Sequence, residues 1–293
     1  LARLAFGKDP VMKIAVLGLG QMGQALATRL AAGGHEVVGW NRTPGKADGL
    51  DGVTEAGSIA EAVEGVDVAL TMLANDEAVR AVVLGETGVV AELHPTGVLV
   101  DCSTISPKLS DELADAAGRG RFAAVPVLGS PQAVAAGEAS YLVGGADHVV
   151  DRLGPMLESL SSKRRRYPLP ALALAAKVSS NLLLLAGVVA LSEAAASGRA
   201  GGLDDDALRA LFADSPMVAP GVANRLDAVL TGDTPGWWST TLGAKDAGLA
   251  VSLAATASTE LPVASAVRQR YLDAARAGAD DDIASVTRLY RRS

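Results

Sequence analysis

The run Gly18-Leu19-Gly20-Gln21-Met22-Gly23 constrains this chain more than any other feature. It follows Lys13-Ile-Ala-Val-Leu17, which reads as a buried strand. It opens an Ala- and Leu-rich stretch that ends at Gly33-Gly34 and reads as a helix with its cap. A strand that turns through glycines directly into a helix leaves the first helical amides without intrahelical acceptors, facing whatever anion comes to them. The first glycine permits the tight turn, the second lets a ligand approach the backbone, and the third lets the helix sit close to the strand. Alone the pattern is weak; between a strand and a helix it points to a pyrophosphate, and all six residues are candidate dinucleotide-binding positions.

The rest of the N-terminal half repeats the same alternation. Val37 to Trp40, Val66 to Leu73, Gly97 to Asp101 and Phe122 to Val127 read as strands, with Asp76 to Val83 and Pro107 to Gly118 as helices between them. Short apolar strands alternating with amphipathic helices specify an α/β fold with a doubly wound parallel sheet. Near Pro168 and Pro170 the texture changes to long Ala/Leu stretches with no strand pattern, beginning with a helix over about residues 171–198. The expected organisation is a Rossmann domain over 12–168 and an all-α domain over 169–293, joined by that long helix. Asp204-Asp-Asp206 and Asp280-Asp-Asp282 read as acidic helix starts.

Composition removes several classes of function. Aromatic residues make up 3% of the chain and the formal net charge is −7, so there is neither a stacking surface nor an extended basic stripe for nucleic acid. Lys163-Arg164-Arg165-Arg166 is the one dense basic run and reads as a solvated edge. A single cysteine, Cys102, and the scattered His35, His94 and His148 give no disulfide framework and no metal-ligand spacing, which fits a cytoplasmic protein without a metal. Leu1 to Val11 lacks the pattern of a signal peptide and reads as a vector-derived leader before Met12. The apolar run over 182–191 falls short of the roughly 20 residues a membrane span needs, so it is expected to be a buried helix rather than a membrane anchor.

The end of the second strand selects the dinucleotide. Asp or Glu there binds the ribose hydroxyls of NAD and repels a 2′-phosphate, whereas this chain carries Asn41-Arg42-Thr43. Arg42 offers a planar cationic fork, and Asn41 and Thr43 can donate hydrogen bonds, so NADPH is favoured over NADH. The competing reading is that Arg42 packs over the adenine face.

Further blocks follow in order: Gly34-His-Glu-Val-Val38, Asp101-Cys-Ser-Thr104 before Pro107, Lys177 with Asn181, and Lys245-Asp-Ala-Gly-Leu-Ala250. Together with the glycine turn, over residues 12 to 290, this combination resembles the β-hydroxyacid dehydrogenase family. The resemblance implies a Rossmann domain, a helical domain used in dimerisation, and interconversion of short 3-hydroxy acids and aldehyde acids. It also implies that Ser103 helps hold a substrate carboxylate, that Thr104 lies near the nicotinamide, and that Lys245 reaches toward the cofactor. Leu73, Ala74 and Asn75, after the third clear strand, are expected to line the cofactor passage. The residues themselves support Lys177 as acid/base group. Lys177 and Asn181 are spaced i, i+4, so an ammonium and an amide share one helix face. An alkoxide formed by hydride transfer needs a proton, and a lysine can supply it once partial burial lowers its usual pKa of about 10.4.

Simpler readings stand beside these. Lys177 alone could be a long side chain reaching water from an apolar helix, Ser103 and Thr104 could cap the next helix, and Lys245–Asp246 could be an exposed ion pair. One departure bears on substrate. Where the family carries a Pro-Val-Ser-Gly-Gly-like loop, this chain has Pro126-Val-Leu-Gly-Ser130, so Leu128 removes a hydroxyl and leaves Gly129 and Ser130 as candidate substrate-binding residues. Imine reduction, an activity of related enzymes, is the alternative, although those enzymes generally lack a lysine at the position of Lys177. A non-catalytic NADP-binding protein is the third reading. Trp237 and Trp238 read as pocket wall, core or interface. The long apolar helix implies a homodimer or larger homo-oligomer.

Overall fold

In the computed structural model, residues 10–291 are described; the leader expected before Met12 falls largely outside them. The chain divides between Lys177 and Val178 into two compact units.

The first unit is built on β1 (Lys13–Leu17), α1 (Gln21–Ala32), β2 (Glu36–Trp40), β3 (Val53–Glu55), α2 (Ile59–Val63) and β4 (Val68–Thr71). There follow α3 (Asp76–Val83), α4 (Val89–Glu92), β5 (Val98–Asp101), α5 (Pro107–Ala117), β6 (Phe122–Ala124), β7 (Val127–Leu128) and α6 (Pro131–Ala135). It closes with β8 (Ser140–Gly145), α7 (Asp147–Arg152), α8 (Gly154–Leu160) and β9 (Arg164–Tyr167). β3, β2, β1, β4, β5 and β6 lie side by side in that order, all parallel. Strand order reverses beside β1, between β2 and β4, which opens a crevice at the C-terminal ends of those strands. Residues alternate between two cores: Ile14, Val16, Val68 and Leu70 pack on one face, and Ala15, Leu17, Ala69 and Leu99 on the other. Burial on both faces is why these strands read as unbroken apolar runs.

Three strands escape the sequence pattern. β3 has three residues. β8 pairs antiparallel with both β6 and β7, which lie end to end along it in one register, so the single strand expected over Phe122–Val127 is one ladder interrupted at Val125-Pro126. β9, the basic run, pairs parallel with the other side of β8, and Arg164 and Arg165 are exposed as expected of an edge. Arg166 instead donates to the carbonyls of Val143 and Gly145 and pairs with Asp147 at 2.8 Å, so it fastens the edge strand.

The second unit is helical. α9 (Pro170–Ala200) is followed by α10 (Asp205–Ala213), α11 (Pro220–Ala223), α12 (Leu226–Thr231), α13 (Thr240–Ala255), α14 (Pro262–Arg276) and a 3-10 helix over Ile283–Tyr290. Asp204 caps α10 and Asp282 caps the 3-10 helix, as the acidic clusters imply. Leu185, Val188, Trp238, Tyr271 and Ile283 form the core, and the Tyr271 hydroxyl donates to the Leu185 carbonyl at 3.1 Å. Trp238 is buried and stacks on Trp237 with ring centroids 5.8 Å apart, so this pair belongs to the helical core.

The first turns of α9 pack with the sheet rather than with the helices. Leu174 lies in a sheet core, and a Cβ on Gly144 would meet the Leu169 carbonyl oxygen at 2.7 Å and the Ala173 Cβ at 2.8 Å. The packing therefore changes hands inside the helix, nine residues after Pro168, where the sequence texture begins to change. The expectation that its apolar run is too short for a membrane span does not hold, because α9 as a whole is long and apolar enough by length and composition. Its buried positions Val178, Asn181, Leu185, Val188 and Ser192 recur at helical spacing, the signature of a core helix.

Candidate active site

The glycine turn is fixed by sterics and by the end of β2. Gly18 has φ +102°, and a Cβ there would lie 2.3 Å from the Met72 carbonyl oxygen. A Cβ on Gly23 would lie 1.8 Å from the Gly18 carbonyl oxygen, whereas one on Gly20 meets nothing within 4 Å. The Gly18 amide donates to the Trp40 carbonyl at 2.8 Å, and the buried Leu19 donates its amide to Asn41 Oδ1 at 3.0 Å. Asn41 Nδ2 in turn donates to the Thr43 carbonyl at 3.0 Å, so this asparagine clasps the turn to the strand beside it. Gln21 and Met22 begin α1, whose first turn carries no acidic residue, and Arg42 and Thr43 are exposed next to it. Open space at Gly20, amides without helical acceptors and the exposed Arg42 just past the end of β2 together fit a dinucleotide carrying phosphates.

At the ends of β4 and β5, Thr71 Oγ1 donates to Asp101 Oδ1 at 2.7 Å inside the core. Ser103 is fully buried and its hydroxyl accepts the Leu73 amide at 2.9 Å, tying the two strand ends together. The cap of α5 is Ser106, which accepts the Leu109 amide at 3.1 Å, so neither Ser103 nor Thr104 is spent on capping. Thr104 is half-buried and Ala74 exposed beside Asn75, which caps α3 through the Ala78 amide at 2.8 Å. Burial, and then neighbouring Asp101, push the Cys102 thiol well above its ordinary value, which leaves it protonated and inert. In the divergent loop Leu128 is half-buried, Gly129 is exposed, and the Ser130 hydroxyl accepts the Ala133 amide as the cap of α6. Among the described residues no group of His, Cys, Asp and Glu is placed to hold a metal ion.

On α9, Lys177 is half-buried and Asn181, one turn later, is buried. Asn181 Nδ2 donates to Asp246 Oδ2 at 2.8 Å, and Asp246 Oδ1 pairs with Lys245 Nζ at 2.9 Å. The Lys245–Asp246 pair is thus not the exposed surface pair that it could have been, because the Asp246 side chain is only 4% exposed. Reading the sequence misses that Asp246 holds Asn181. The two lie 65 residues apart, and no local pattern announces a bond of that kind.

Comparison with known proteins identifies the family. The family model for the NAD binding domain of 6-phosphogluconate dehydrogenase matches residues 13–167, and that for NAD-binding of NADP-dependent 3-hydroxyisobutyrate dehydrogenase matches 172–290. The chain belongs to the β-hydroxyacid dehydrogenase family. An uncharacterized oxidoreductase, YfjR, of Bacillus subtilis is 34% identical, covering 89% of this chain and 93% of its own. A 3-hydroxyisobutyrate dehydrogenase of Pseudomonas aeruginosa is 30% identical over 95% of this chain and 98% of its own. The solved structure of Mycobacterium tuberculosis 3-hydroxyisobutyrate dehydrogenase with L-serine superposes with a TM-score of 0.84 at 29% identity, covering 97% of this chain and all of that one. This β-hydroxyacid dehydrogenase is accordingly an NAD(P)-dependent oxidoreductase with a Rossmann-like first unit and an all-helical second one.

Proposed function

We propose that the enzyme transfers hydride between NADPH and a small β-hydroxy acid or its semialdehyde, with Lys177 as general acid/base. The observation that carries the reading is that Lys177 stands one turn before Asn181, whose amide is buried and fastened to a carboxylate. A bound nicotinamide supplies or takes the hydride. The Lys177 ammonium gives the forming alkoxide its proton in reduction, and its amine takes that proton in oxidation. Asn181 directs an N–H or its carbonyl at the same substrate oxygen, and Ser103, Gly129 and Ser130 are assigned to the acid end. Asn41, Thr104, Leu73, Ala74, Asn75 and Lys245 are assigned to the cofactor with the glycine turn, and Arg42 and Thr43 to a 2′-phosphate.

A panel of semialdehydes, keto acids and cyclic imines, run with NADPH and with NADH, tests the reading. Semialdehydes are expected to turn over best, with NADPH preferred. Leu128 favours a second reading, imine reduction, because it removes a hydroxyl from the acid-gripping loop and the family is related to imine reductases. Turnover of imines alone would replace the first reading by the second, and none at all would leave a dinucleotide-binding protein without catalysis. Arg42→Ala is expected to raise KM for NADPH by roughly 10- to 100-fold, the worth of a charge-assisted contact, and to leave KM for NADH within twofold. Equal changes for both cofactors would remove Arg42 from the phosphate.

The same reading includes self-association in the cytoplasm. Leu183 on α9 is 78% exposed and Val263 on α14 is 69% exposed, and an apolar groove of about 830 Å³ lies between those helices. A second copy of this chain is the occupant proposed for such a face, since most soluble oligomers pair like with like. Sedimentation is expected to give a dimer or larger species that Leu183→Glu shifts toward monomer. A monomer at micromolar concentration would contradict it.

A further inference from the structure

We propose that Asp246 is a positioning residue, whose buried carboxylate holds the Asn181 amide in the orientation that serves a substrate oxygen beside Lys177. This rests on the functional reading above and extends it to a residue that touches no reacting atom. Asp246 lies on α13 with 3% of its surface exposed. A charge is costly to take out of water there, and a neutral side chain would fill the same place at less expense. Its two oxygens are divided between two partners, Oδ2 accepting Asn181 Nδ2–H at 2.8 Å and Oδ1 pairing with the Lys245 ammonium at 2.9 Å.

An ionised carboxylate is an acceptor only, so the end of the Asn181 amide turned toward it must be nitrogen. The carbonyl oxygen and the second N–H of Asn181 are thereby given fixed directions. Without that anchor the amide can turn end for end, exchanging a donor for an acceptor at the substrate. Lys245 holds the carboxylate from its other side, so the chain Lys245–Asp246–Asn181 ends in one oriented amide a single helical turn from Lys177. A helix-packing role alone requires neither the charge nor a bond spanning 65 residues of sequence.

The test uses the full chain, with D246N as the nearly isosteric variant that removes the charge. An asparagine at 246 can present either end to Asn181, so the orientation is no longer dictated. The kcat is expected to fall by roughly 10- to 100-fold, as for other partners that orient catalytic groups, measured at saturating NADPH so that any change in cofactor affinity passed on through Lys245 does not enter it. Made in an N181A background, the same substitution is expected to change kcat by less than threefold, because its effect runs through the amide that is already gone. Equal losses in both backgrounds would assign Asp246 to packing and overturn the proposal, as would an unchanged kcat in D246N alone. Should D246N fail to fold, D246E keeps the charge and displaces the oxygens by one methylene, and it is compared in the same two backgrounds. A readout free of turnover is the 15N-edited side-chain spectrum, in which one Asn181 amide proton is expected well downfield and lost in D246N. Should no compound of the panel react with the unsubstituted enzyme, the functional reading falls. The amide resonance then still decides whether Asp246 orients Asn181, and an undisplaced signal rejects it.

Discussion

Lys177→Met is expected to lower kcat by about 1000-fold with every substrate of the enzyme while leaving the Kd for NADPH within twofold, because general acid/base groups contribute on the order of 10²- to 10⁴-fold. Methionine keeps an unbranched apolar stem of similar length, so the helix packing around a half-buried position survives and only the nitrogen is removed. The neighbouring positions on α9 make this a safe replacement. Leu174 and Val178 are buried on either side and carry the local packing, and Asn181 retains its own anchor on Asp246. Lys177→Arg sharpens the result. It preserves the positive charge but holds its proton at any ordinary pH, so an electrostatic role would tolerate it and a proton-transfer role would not. Single-turnover measurements with NADPH bound beforehand place the loss on the chemical step. Retention of more than a tenth of kcat in Lys177→Met would remove Lys177 from the reaction.

The parts of this protein that could be read from the residues are those where a physical constraint acts over a few positions. The glycine turn is legible because Gly18 and Gly23 are each forced by a contact within the turn or with the next strand end, and any side chain there collides with backbone. β1 and β4 are legible because both their faces are buried, and α9 because its Ala/Leu composition runs unbroken over eight turns. β9 is illegible for the opposite reason: Arg164-Arg-Arg-Tyr167 has no apolar alternation, and the strand is held by pairing to β8 and by the Arg166 guanidinium. β8 presents Tyr141-Leu-Val143 between small residues, and its register depends on β6 and β7, which lie elsewhere in the sequence. At the site, the motif supplies Lys177 and Asn181. It does not supply the partner of Asn181, nor the bond by which Ser103 joins the ends of β4 and β5 through Leu73. Long-range side-chain bonds of this kind leave no period and no spacing behind them.

Gly23 and Gly20 of the turn fail differently when replaced, and that difference tests where the cofactor sits. Gly23→Ala places a methyl 1.8 Å from the Gly18 carbonyl oxygen, and neither is the far end of a flexible side chain that could swing away. α1 must shift from β1, at a cost of about 1–3 kcal/mol for overpacking, so both the melting temperature and the affinity for NADPH are expected to fall, the latter by roughly 10- to 100-fold. Gly20→Ala meets nothing within 4 Å and sits at φ −69°, a conformation open to any residue. Its own cost is that of a poorer helix cap, about 1 kcal/mol or less, and the melting temperature of the free protein is expected to move by only a few degrees. Yet the methyl occupies the space through which a pyrophosphate reaches the first amides of α1, so affinity for NADPH is expected to fall as far as in Gly23→Ala. Calorimetric melting without cofactor, paired with fluorescence titration of NADPH, separates the two variants. A Gly20→Ala protein that binds NADPH with unaltered affinity would show that the dinucleotide does not rest on this turn, and the assignment of Arg42 to its 2′-phosphate would fall with it.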